Sequence, residues 1–366
     1  MEEIQYAKGG QKMIDMYSLL RQMKEKGASD LHIVAGSTPV FRVDGYLKAE
    51  EGEKLTSEQS RLLIYSLMDR EQQRRFEEGY ELDFSLGVPG AGRFRIDAHF
   101  QRGSIAGAVR RIPYSVPSIS ELHLPLILEE LALKEKGLIL VTGPTGCGKS
   151  TTLAAMVEII NNKKAVHIIT VEDPIEYVHS HKKSIVEQKE VGTDTLSFAN
   201  SLKYSLRQDP DVILVGEMRD LETIATALTA AETGHLVLAT LHTPDAPQAI
   251  DRIVDVFPPH QQPQIRLQLS ISLEAVITQK LLPQKIGKGR VPAVEILIAT
   301  PAVRNLIRSG KTHQLYTAME TGAHFGMKTM DYALRDLVKE DYIDLSLALK
   351  IARDPKNLQN FFKGSS

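Results

Sequence analysis

The sequence predicts an α/β protein of two domains followed by a helical C-terminal region. Three observations support this fold class: a glycine-rich loop between an apolar strand and a helical run, further apolar strands that alternate with helices, and an alternating apolar–polar pattern in the first third of the chain. The 366 residues are enough for two hydrophobic cores. The predicted parts are a first domain at 1–112, a linker at 113–125, a core at 126–290 and a C-terminal region at 291–366.

Composition and charge limit the class of protein. Hydrophobic residues make up 42% and charged residues 25% of the chain, as in ordinary globular proteins. The 44 basic residues are balanced by 46 acidic residues, which argues against nucleic acid as the main partner. Cys147 is the only cysteine, which excludes an intramolecular disulfide and a cysteine-built zinc site and fits a reducing, cytoplasmic setting.

Membrane segments are not predicted. No apolar run approaches the roughly 18 residues that a membrane-spanning helix needs. The N-terminus also lacks the apolar region of a signal peptide. A role at a membrane would therefore require recruitment by another protein.

Residues 1–112 are predicted to form an α+β domain on an antiparallel sheet. Ile14, Tyr17 and Leu20 recur at helical spacing within a helix expected at Met13–Lys26, and a second helix is expected at 57–78. Alternating apolar and polar residues predict the strands, which fall within 29–45, 81–86, 92–101 and 106–111.

Arginines stand out on the last two of these strands. Arg93 and Arg95 alternate with apolar residues and share one strand face, and Arg110 and Arg111 end the next strand. One interpretation is a solvated sheet face. The other is a set of arginines presented to a nucleotide that the second domain holds, because a guanidinium pairs with phosphate oxygens in a bidentate manner. We select Arg95 and Arg110 as candidates.

The segment from Ile112 to Pro125 interrupts both the helical and the strand patterns. It contains three prolines and three serines and is long for a connection inside one domain. We predict that it joins the two domains and acts as a hinge.

The loop from Gly143 to Ser150 fits the pattern G-x-x-x-x-G-K-[ST]. An apolar strand precedes it and a helical run at 151–160 follows, which is the context that a P-loop requires. Lys149 is expected to reach the β- and γ-phosphates of a nucleotide, and the Ser150 hydroxyl to ligate Mg²⁺. The candidate nucleotide-binding residues are Gly143, Pro144, Thr145, Gly146, Cys147, Gly148, Lys149, Ser150 and Thr151.

Acidic residues follow two further apolar strands. The strand at 165–171 is followed by the segment Glu172–Glu176, and Glu217 follows the strand at 212–215. Because open α/β sheets bind ligands at the carboxyl ends of their strands, such a carboxylate could orient or deprotonate a water. An ordinary acidic turn is the alternative for the first segment. Glu217 occupies the Walker B position and is expected to reach Mg²⁺ through water, since Gly216 replaces the usual aspartate.

Histidines occur at two places that could matter. His242 ends a third apolar strand, where it could sense the γ-phosphate. His179 and His181 suggest metal, but no further ligands accompany them and we predict an exposed loop. The repeated alternation of strand and helix, with the P-loop and two acidic strand ends, predicts a RecA-like parallel sheet with helices on both faces.

The region 291–366 is predicted to be helical. In the first of its helices Val303, Leu306 and Ile307 form the apolar face, whereas Arg304, Asn305 and Arg308 are predicted to face outward. The predicted helices are 300–308, 329–340 and 346–353.

Several segments resemble the secretion and pilus motor ATPase family. Val171–Glu176 resembles the Asp box of that family, Leu206–Asp220 its signature around Walker B, including the Gly-Glu pair, and Thr240–Thr243 its His box. The segments Ser29–Ile33 and Arg42–Gly45 resemble its PAS-like N-terminal domain. The resemblance covers nearly the whole chain.

Two features separate the branches of this family. A chain with one cysteine cannot form the four-cysteine zinc motif of the pilus assembly and type II secretion ATPases. Ala302–Ser309 resembles the Ala-Ile-Arg-Asn-Leu-Ile-Arg-Glu motif of the type IV pilus retraction ATPases, with Val303 in place of Ile and Ser309 in place of Glu. The alternatives are a pilus extension or type II secretion ATPase and, in a different class, a non-motor P-loop kinase or switch.

The resemblance implies a motor that hydrolyses ATP with Mg²⁺, forms a homohexamer and binds the nucleotide between its two domains. Glu176 would be the general base, Glu217 would support Mg²⁺ and water, and His242 would couple the site to neighbouring elements. Arg95 and Arg110 match arginines that the first domain brings to the phosphates. The implied partner is a pilus platform protein of the inner membrane, which would recruit a cytoplasmic chain that has no membrane span and binds no nucleic acid.

Overall fold

The computed structural model describes residues 15–113, 115–286 and 289–363. The chain divides into two compact units, Met1–Tyr114 and Ser115–Ser366. Each unit has a hydrophobic core of its own.

The first unit is built on an antiparallel sheet, as predicted. In its described part the strand order is β3-β2-β1-β6-β5-β4. The helices are α1 (Met16–Glu25), α2 (Ser57–Tyr65) and α3 (Arg70–Gly79), and the strands are β1 (Asp30–Ile33), β2 (Val40–Val43), β3 (Tyr46–Ala49), β4 (Glu81–Val88), β5 (Gly92–Gln101) and β6 (Ser104–Ile112).

The helices of this unit differ from the prediction in two respects. The single helix expected at 57–78 is two helices, because the side chain of Asp69 accepts a hydrogen bond from the backbone of Gln72 and so starts a new helix. Asp15 caps α1 in the same way. Met13 and Ile14, which belong to the predicted first helix, lie outside the described residues.

The two faces of this sheet have different roles. Leu31, Phe94 and Ile96 are fully buried beneath the helices. Arg95 lies opposite Arg110, and Arg110 lies opposite Asp30, so these three residues share the other face. The alternation in the sequence therefore separates a packed face from a charged one, as predicted.

The second unit contains a sheet with helices on both faces. Among its described residues the strand order is β13-β12-β7-β11-β10-β8-β9. The strands are β7 (Gly137–Thr142), β8 (His167–Glu172), β9 (Ile185–Glu190), β10 (Val212–Val215), β11 (Leu236–Leu241), β12 (Leu273–Pro283) and β13 (Arg290–Ile298). The helices are α4 (Ile127–Ala132), α5 (Lys149–Lys163), α6 (Phe198–Ser205), α7 (Leu221–Glu232), α8 (Ala246–Asp255), α9 (Gln262–Ser272), α10 (Pro301–Arg308), α11 (Leu315–Thr321), α12 (Met330–Lys339), α13 (Leu345–Ile351) and α14 (Pro355–Lys363).

The parallel part of this sheet explains the apolar runs in the sequence. Every residue of β7, β10 and β11 is buried, because helices cover both faces. One core cluster holds residues of α7, α8 and α9, and another holds residues of α4 and α5. The predicted RecA-like architecture is confirmed.

The prediction that the chain is helical from residue 291 onward is wrong at its start. Residues 290–298 form β13, which pairs antiparallel with β12. Their apolar character comes from burial within the sheet rather than from one face of a helix. Helix begins at Pro301, behind the capping residue Thr300, and helical structure follows from there.

Several other elements were not predicted, among them two strands of the second unit. The short strand β9 and the long strand β12 extend the sheet at its two sides. Ile119 and Leu124, from the predicted linker, are buried in the core of the second unit.

Within the described ranges, none of the helices combines the length and the apolar character that crossing a membrane requires.

Candidate functional site

A cavity of about 440 Å³ lies at the carboxyl ends of the parallel strands of the second unit. This is the edge at which open α/β sheets bind ligands. Glu176, Glu217 and His242 line the cavity. The P-loop residues that line it are Thr145, Gly146, Gly148, Lys149, Ser150 and Thr151.

Three of the predicted nucleotide-binding residues lie outside this lining: Gly143, Pro144 and Cys147. Gly143 has φ 131°, and a Cβ there would lie 2.4 Å from the carbonyl oxygen of Gln279 and 2.8 Å from Sγ of Cys147. Only glycine fits between these two neighbours. Gly143 and Cys147 therefore pack the P-loop against β12 and fix its backbone conformation, without lining the cavity.

Lys149 holds the loop in shape from within. Its Nζ donates hydrogen bonds to the carbonyl oxygens of Gly143 at 2.9 Å and Pro144 at 3.0 Å. Lys149 is also the first residue of α5, behind Gly148 in a left-handed conformation. The backbone N–H groups at this helix start, together with the ammonium, offer an anion-binding site of the kind that phosphates occupy.

A line of side chains connects the P-loop to the Walker B position. Nζ of Lys149 lies 3.4 Å from Nδ1 of His242, and Nε2 of His242 lies 3.3 Å from Oε1 of Glu217. An ammonium can only donate, so Nδ1 of His242 accepts and Nε2 carries the proton that faces the carboxylate. The structure thus brings together the three residues that the sequence placed on three different segments.

The carboxylate of Glu217 is held in its charged form. Partial burial alone would raise the pKa of Glu217, but the bond from Arg219 at 2.6 Å and the facing His242 outweigh it and hold that pKa below its usual value. A carboxylate that stays ionised suits the binding of Mg²⁺ and its water shell.

The glycine at the Walker B position has a packing reason. A Cβ on Gly216 would lie 3.1 Å from the carbonyl oxygen of Val171 and 3.2 Å from Cα of Glu172. A Cβ at this position would therefore require the end of β8 to move by a few tenths of an ångström.

Glu172, the last residue of β8, and Glu176, four residues further along the chain, have different surroundings. Glu172 accepts hydrogen bonds from Oγ1 of Thr170 at 2.6 Å and Nε2 of Gln188 at 3.1 Å, and burial raises the pKa of Glu172. Glu176 is exposed and lines the cavity. Glu172 is therefore anchored within the sheet, whereas Glu176, like the neighbouring Asp173, is exposed at the cavity and can contact a water there.

The prediction of an exposed loop at His179 and His181 is wrong for His179. His179 is buried beside the cavity, with its backbone N–H bonded to Oε1 of Gln188 and its Nδ1 3.5 Å from Glu158. Burial lowers the pKa of His179. His181 is exposed, and its Nδ1 accepts a hydrogen bond from the backbone of Val186.

The candidate arginines lie in the first unit, each beside an aspartate. Nε of Arg95 lies 3.0 Å from Oδ1 of Asp83, and Nε of Arg110 lies 2.9 Å from Oδ1 of Asp30. Both guanidinium groups remain substantially exposed, with 41% of the Arg95 side chain and 71% of the Arg110 side chain accessible.

The donor chemistry of the cavity fits Mg²⁺. Ser150 and Glu217 offer a hydroxyl and a carboxylate, which are hard oxygen donors. In residues 15–113, 115–286 and 289–363 no cluster of three or more histidine, cysteine or acidic side chains could hold a metal. Magnesium at nucleotide sites takes few protein ligands and completes its shell with phosphate oxygens and water, so this sparse set is sufficient.

Two arginines at the cavity were not selected from the sequence. Arg219, which binds Glu217, and Arg290, at the start of β13, both line the cavity. Arg219 lies two residues beyond Glu217, so the sequence spacing alone could have predicted that the two side chains are close. Arg290 comes from a strand that was not predicted, and no local pattern identifies it.

The prediction that Arg304 of α10 faces outward is wrong. Its Nη1 donates to the carbonyl oxygens of Ser270 at 2.9 Å and Ile271 at 2.6 Å, and its Nη2 lies 2.7 Å from Oε1 of Glu274. Arg304 therefore binds α10 to the end of α9. Asn305 and Arg308 are exposed, as predicted.

The chain is similar in sequence and in fold to proteins of known function. A twitching motility protein of Neisseria gonorrhoeae is 47% identical over 341 residues, covering 93% of this chain and 91% of that protein. The type IV pilus retraction ATPase PilT of Pseudomonas aeruginosa is 50% identical over 344 residues, covering 94% of this chain and all of that protein. A crystal structure of the pilus retraction motor PilT with bound ADP is similar with a TM-score of 0.88 at 50% identity, covering 95% of this chain and 99% of that one.

The family model described as type II/IV secretion system protein matches residues 8–333. The match includes the P-loop, the Asp box, the Walker B segment and the His box. The chain belongs to the type II/IV secretion system protein family.

Proposed function

We propose that this chain hydrolyses ATP and uses the energy to retract type IV pili, and so drives twitching motility. The observation that carries the proposal is the convergence of Lys149, Ser150, Glu217 and His242 on one cavity at the sheet edge. The choice of retraction is supported by the relatives, which are named as pilus retraction and twitching proteins.

ATP binds with its phosphates at the start of α5. The ammonium of Lys149 moves from the loop carbonyl oxygens to the β- and γ-phosphates. Mg²⁺, held by Ser150 and through water by Glu217, would neutralise phosphate charge. Glu176 accepts a proton from the attacking water, and His242 keeps the carboxylate of Glu217 oriented.

Arg95 and Arg110 act on the phosphates in this proposal. Their exposed guanidinium groups on the charged face of the first sheet are suited to bidentate pairing with phosphate oxygens. Release of phosphate removes these contacts, and the domains separate about the start of the segment 113–125, ahead of Ile119, which is buried in the second unit. A homohexameric ring converts this cycle into motion.

The ring works at the cytoplasmic side of the inner membrane, where a pilus platform protein recruits it. The exposed residues Asn305 and Arg308 of α10 are needed for retraction and not for ATP binding. This assignment separates the hydrolytic site from the surface that transmits its work.

Two measurements test the proposal. The purified chain should release free phosphate from ATP in the presence of Mg²⁺, and transfer of phosphate to an acceptor would instead identify a kinase. A strain in which the gene is deleted should be immotile and hyperpiliated, and the wild-type gene should restore motility where Lys149→Ala does not. Deletion cells without pili would identify an extension motor and contradict retraction.

A further inference from the structure

Glu295 is a buried acidic residue that binds the first residue of two helices. Only 2% of Glu295 is exposed, on β13. Its Oε1 accepts a hydrogen bond from the backbone N–H of Ala246 at 3.0 Å, and its Oε2 accepts one from the backbone N–H of Met330 at 3.2 Å. These are the first residues of α8 and α12. One carboxylate thus joins a helix of the ATPase core to a helix of the C-terminal region.

The two hydrogen bonds to the carboxylate of Glu295 are additional to ordinary helix capping. Asp245 already caps α8 by accepting from the backbone of Gln248, and Thr329 already caps α12. The positive ends of both helices favour a negative charge at Glu295, whereas burial raises the pKa of Glu295. Burying a carboxylate costs free energy unless it accepts hydrogen bonds. The two N–H groups therefore stabilise the buried carboxylate, and the carboxylate in turn satisfies both N–H groups.

Glu295 also lies in a row of buried polar residues that ends at the P-loop. Thr278 of β12 lies opposite Glu295, and Thr142 of β7 lies opposite Thr278. The hydroxyls of Thr142 and Thr278 are 2.8 Å apart. Thr142 directly precedes Gly143, so the row reaches the start of the nucleotide-binding loop.

The connection from Glu295 to His242 is short. His242 follows the last residue of β11, and Ala246 begins α8. Only Thr243, Pro244 and Asp245 lie between them, and the proline restricts this segment further. A displacement of the first residue of α8 therefore displaces the segment that carries the imidazole.

We propose that Glu295 is a positioning residue for ATP hydrolysis, which holds the start of α8 so that His242 stays between Lys149 and Glu217. This inference rests on the proposed ATPase function. It assigns the C-terminal helices a role in keeping the catalytic geometry, through the second bond of the same carboxylate to α12.

The first variant is Glu295→Gln, which keeps the shape of the side chain. A glutamine has one accepting oxygen, and its NH₂ group faces an N–H donor, so one of the two helix bonds is lost. We expect kcat for ATP hydrolysis to fall about tenfold, because a small misplacement of a catalytic group is sufficient for such a loss. KM for ATP should stay within about twofold, since the phosphate-binding loop is intact.

The second variant is Glu295→Asp, which keeps the charge but is too short to reach both N–H groups. It should show the same selective loss of kcat, and it decides the question if Glu295→Gln does not fold. The matched control is Met330→Ala, which removes buried packing at the start of α12 but keeps the N–H that bonds to Glu295. This control should lower the melting temperature and leave kcat unchanged.

Each outcome has a definite meaning. A folded Glu295 variant with wild-type kcat would overturn the inference, and so would a loss of kcat in Met330→Ala as large as in the Glu295 variants. Failure of both Glu295 variants to fold beside a folded Met330→Ala would make Glu295 structural only. Absence of phosphate release by the wild-type chain would refute the proposed function instead, so the two failures are distinguishable.

Discussion

Nε2 of His242 lies 3.3 Å from Oε1 of Glu217. Because His242 also contacts Lys149, His242→Ala should leave Glu217 without one of its two charged or polar neighbours and misplace it. We expect phosphate release to fall about 10²-fold, the scale of positioned acid–base groups. His260→Ala, at an exposed histidine, is the control and should have wild-type turnover. Equal turnover in the two variants would remove His242 from the site.

Lys149→Ala should abolish ATP hydrolysis. The ammonium binds the loop in the structure and the phosphates in the proposed complex, so its loss removes both functions. Nucleotide binding measured by fluorescence and turnover measured by phosphate release should both be lost. Lys163→Ala, at the end of the same helix, breaks an exposed ion pair with Glu129 and should cost less than about 1 kcal/mol with no loss of activity. Full turnover by Lys149→Ala would refute the P-loop assignment.

Gly143→Ala should be inactive for a steric reason. The added Cβ would lie 2.4 Å from the carbonyl oxygen of Gln279, so the loop or β12 must move. Gly52 has a similar φ of 139° but nothing within 4 Å of a Cβ, so Gly52→Ala tests backbone strain without the clash. Loss of ATP binding in Gly143→Ala alone is the expected result. Normal binding by Gly143→Ala would show that the close approach to Gln279 is not required.

Arg95→Ala and Arg110→Ala should each lower turnover more than tenfold, because an arginine that stabilises transferring phosphate is worth about 10³–10⁵ in P-loop enzymes. The change in stability should be below about 1 kcal/mol, since both side chains are largely exposed. Arg74→Ala breaks exposed ion pairs on α3 and should leave turnover unchanged. If both variants hydrolyse ATP normally, the proposed role of these arginines is wrong.

The pH dependence of stability should also change in Arg110→Ala. Partial burial alone would raise the pKa of Asp30, but bonds from Ser29 and Arg110 outweigh it and hold that pKa below its usual 3.8. A depressed acidic pKa stabilises the fold above 3.8, and this contribution is lost as pH falls through the folded-state value. The stability difference between wild type and Arg110→Ala should therefore be present at pH 7 and shrink below pH 4 in urea titrations. A difference that persists at low pH would contradict this coupling.

Arg304→Ala and Asn305→Ala should have different effects, although they are neighbours. Removing Arg304 takes away the side-chain donor to two carbonyl oxygens at the end of α9 and leaves Glu274 with Lys134 alone, which should cost about 2 kcal/mol. Asn305→Ala should keep stability and ATP hydrolysis but abolish pilus retraction. Thermal unfolding, phosphate release and a twitching assay measure the three effects. Loss of hydrolysis in Asn305→Ala would make α10 part of the catalytic unit.

The sequence was sufficient for the parts of the site that depend on local patterns. The P-loop, Glu217 and His242 could be predicted because each follows a buried strand directly, and parallel strands bring their carboxyl ends to one edge. The strand β13 could not, because a short run of apolar residues has no period that separates strand from helix. The contact between Arg304 and the end of α9 was missed. Helical spacing shows that Arg304 lies off the apolar face of α10, but it does not show that another helix ends beside it.

The position of β12 has a mechanical consequence. At Gln279 its backbone touches Gly143 of the P-loop, and at Glu274 it binds both Arg304 and, through its carbonyl oxygen, the backbone of Ala299 just before α10. The two points are five residues apart, about 17 Å along a strand. β12 thus contacts the nucleotide-binding loop at Gln279 and the start of the retraction-motif helix α10 at Glu274. Because the same strand contacts both Gly143 and the segment that starts α10, a change in the P-loop and a change in α10 both act on β12.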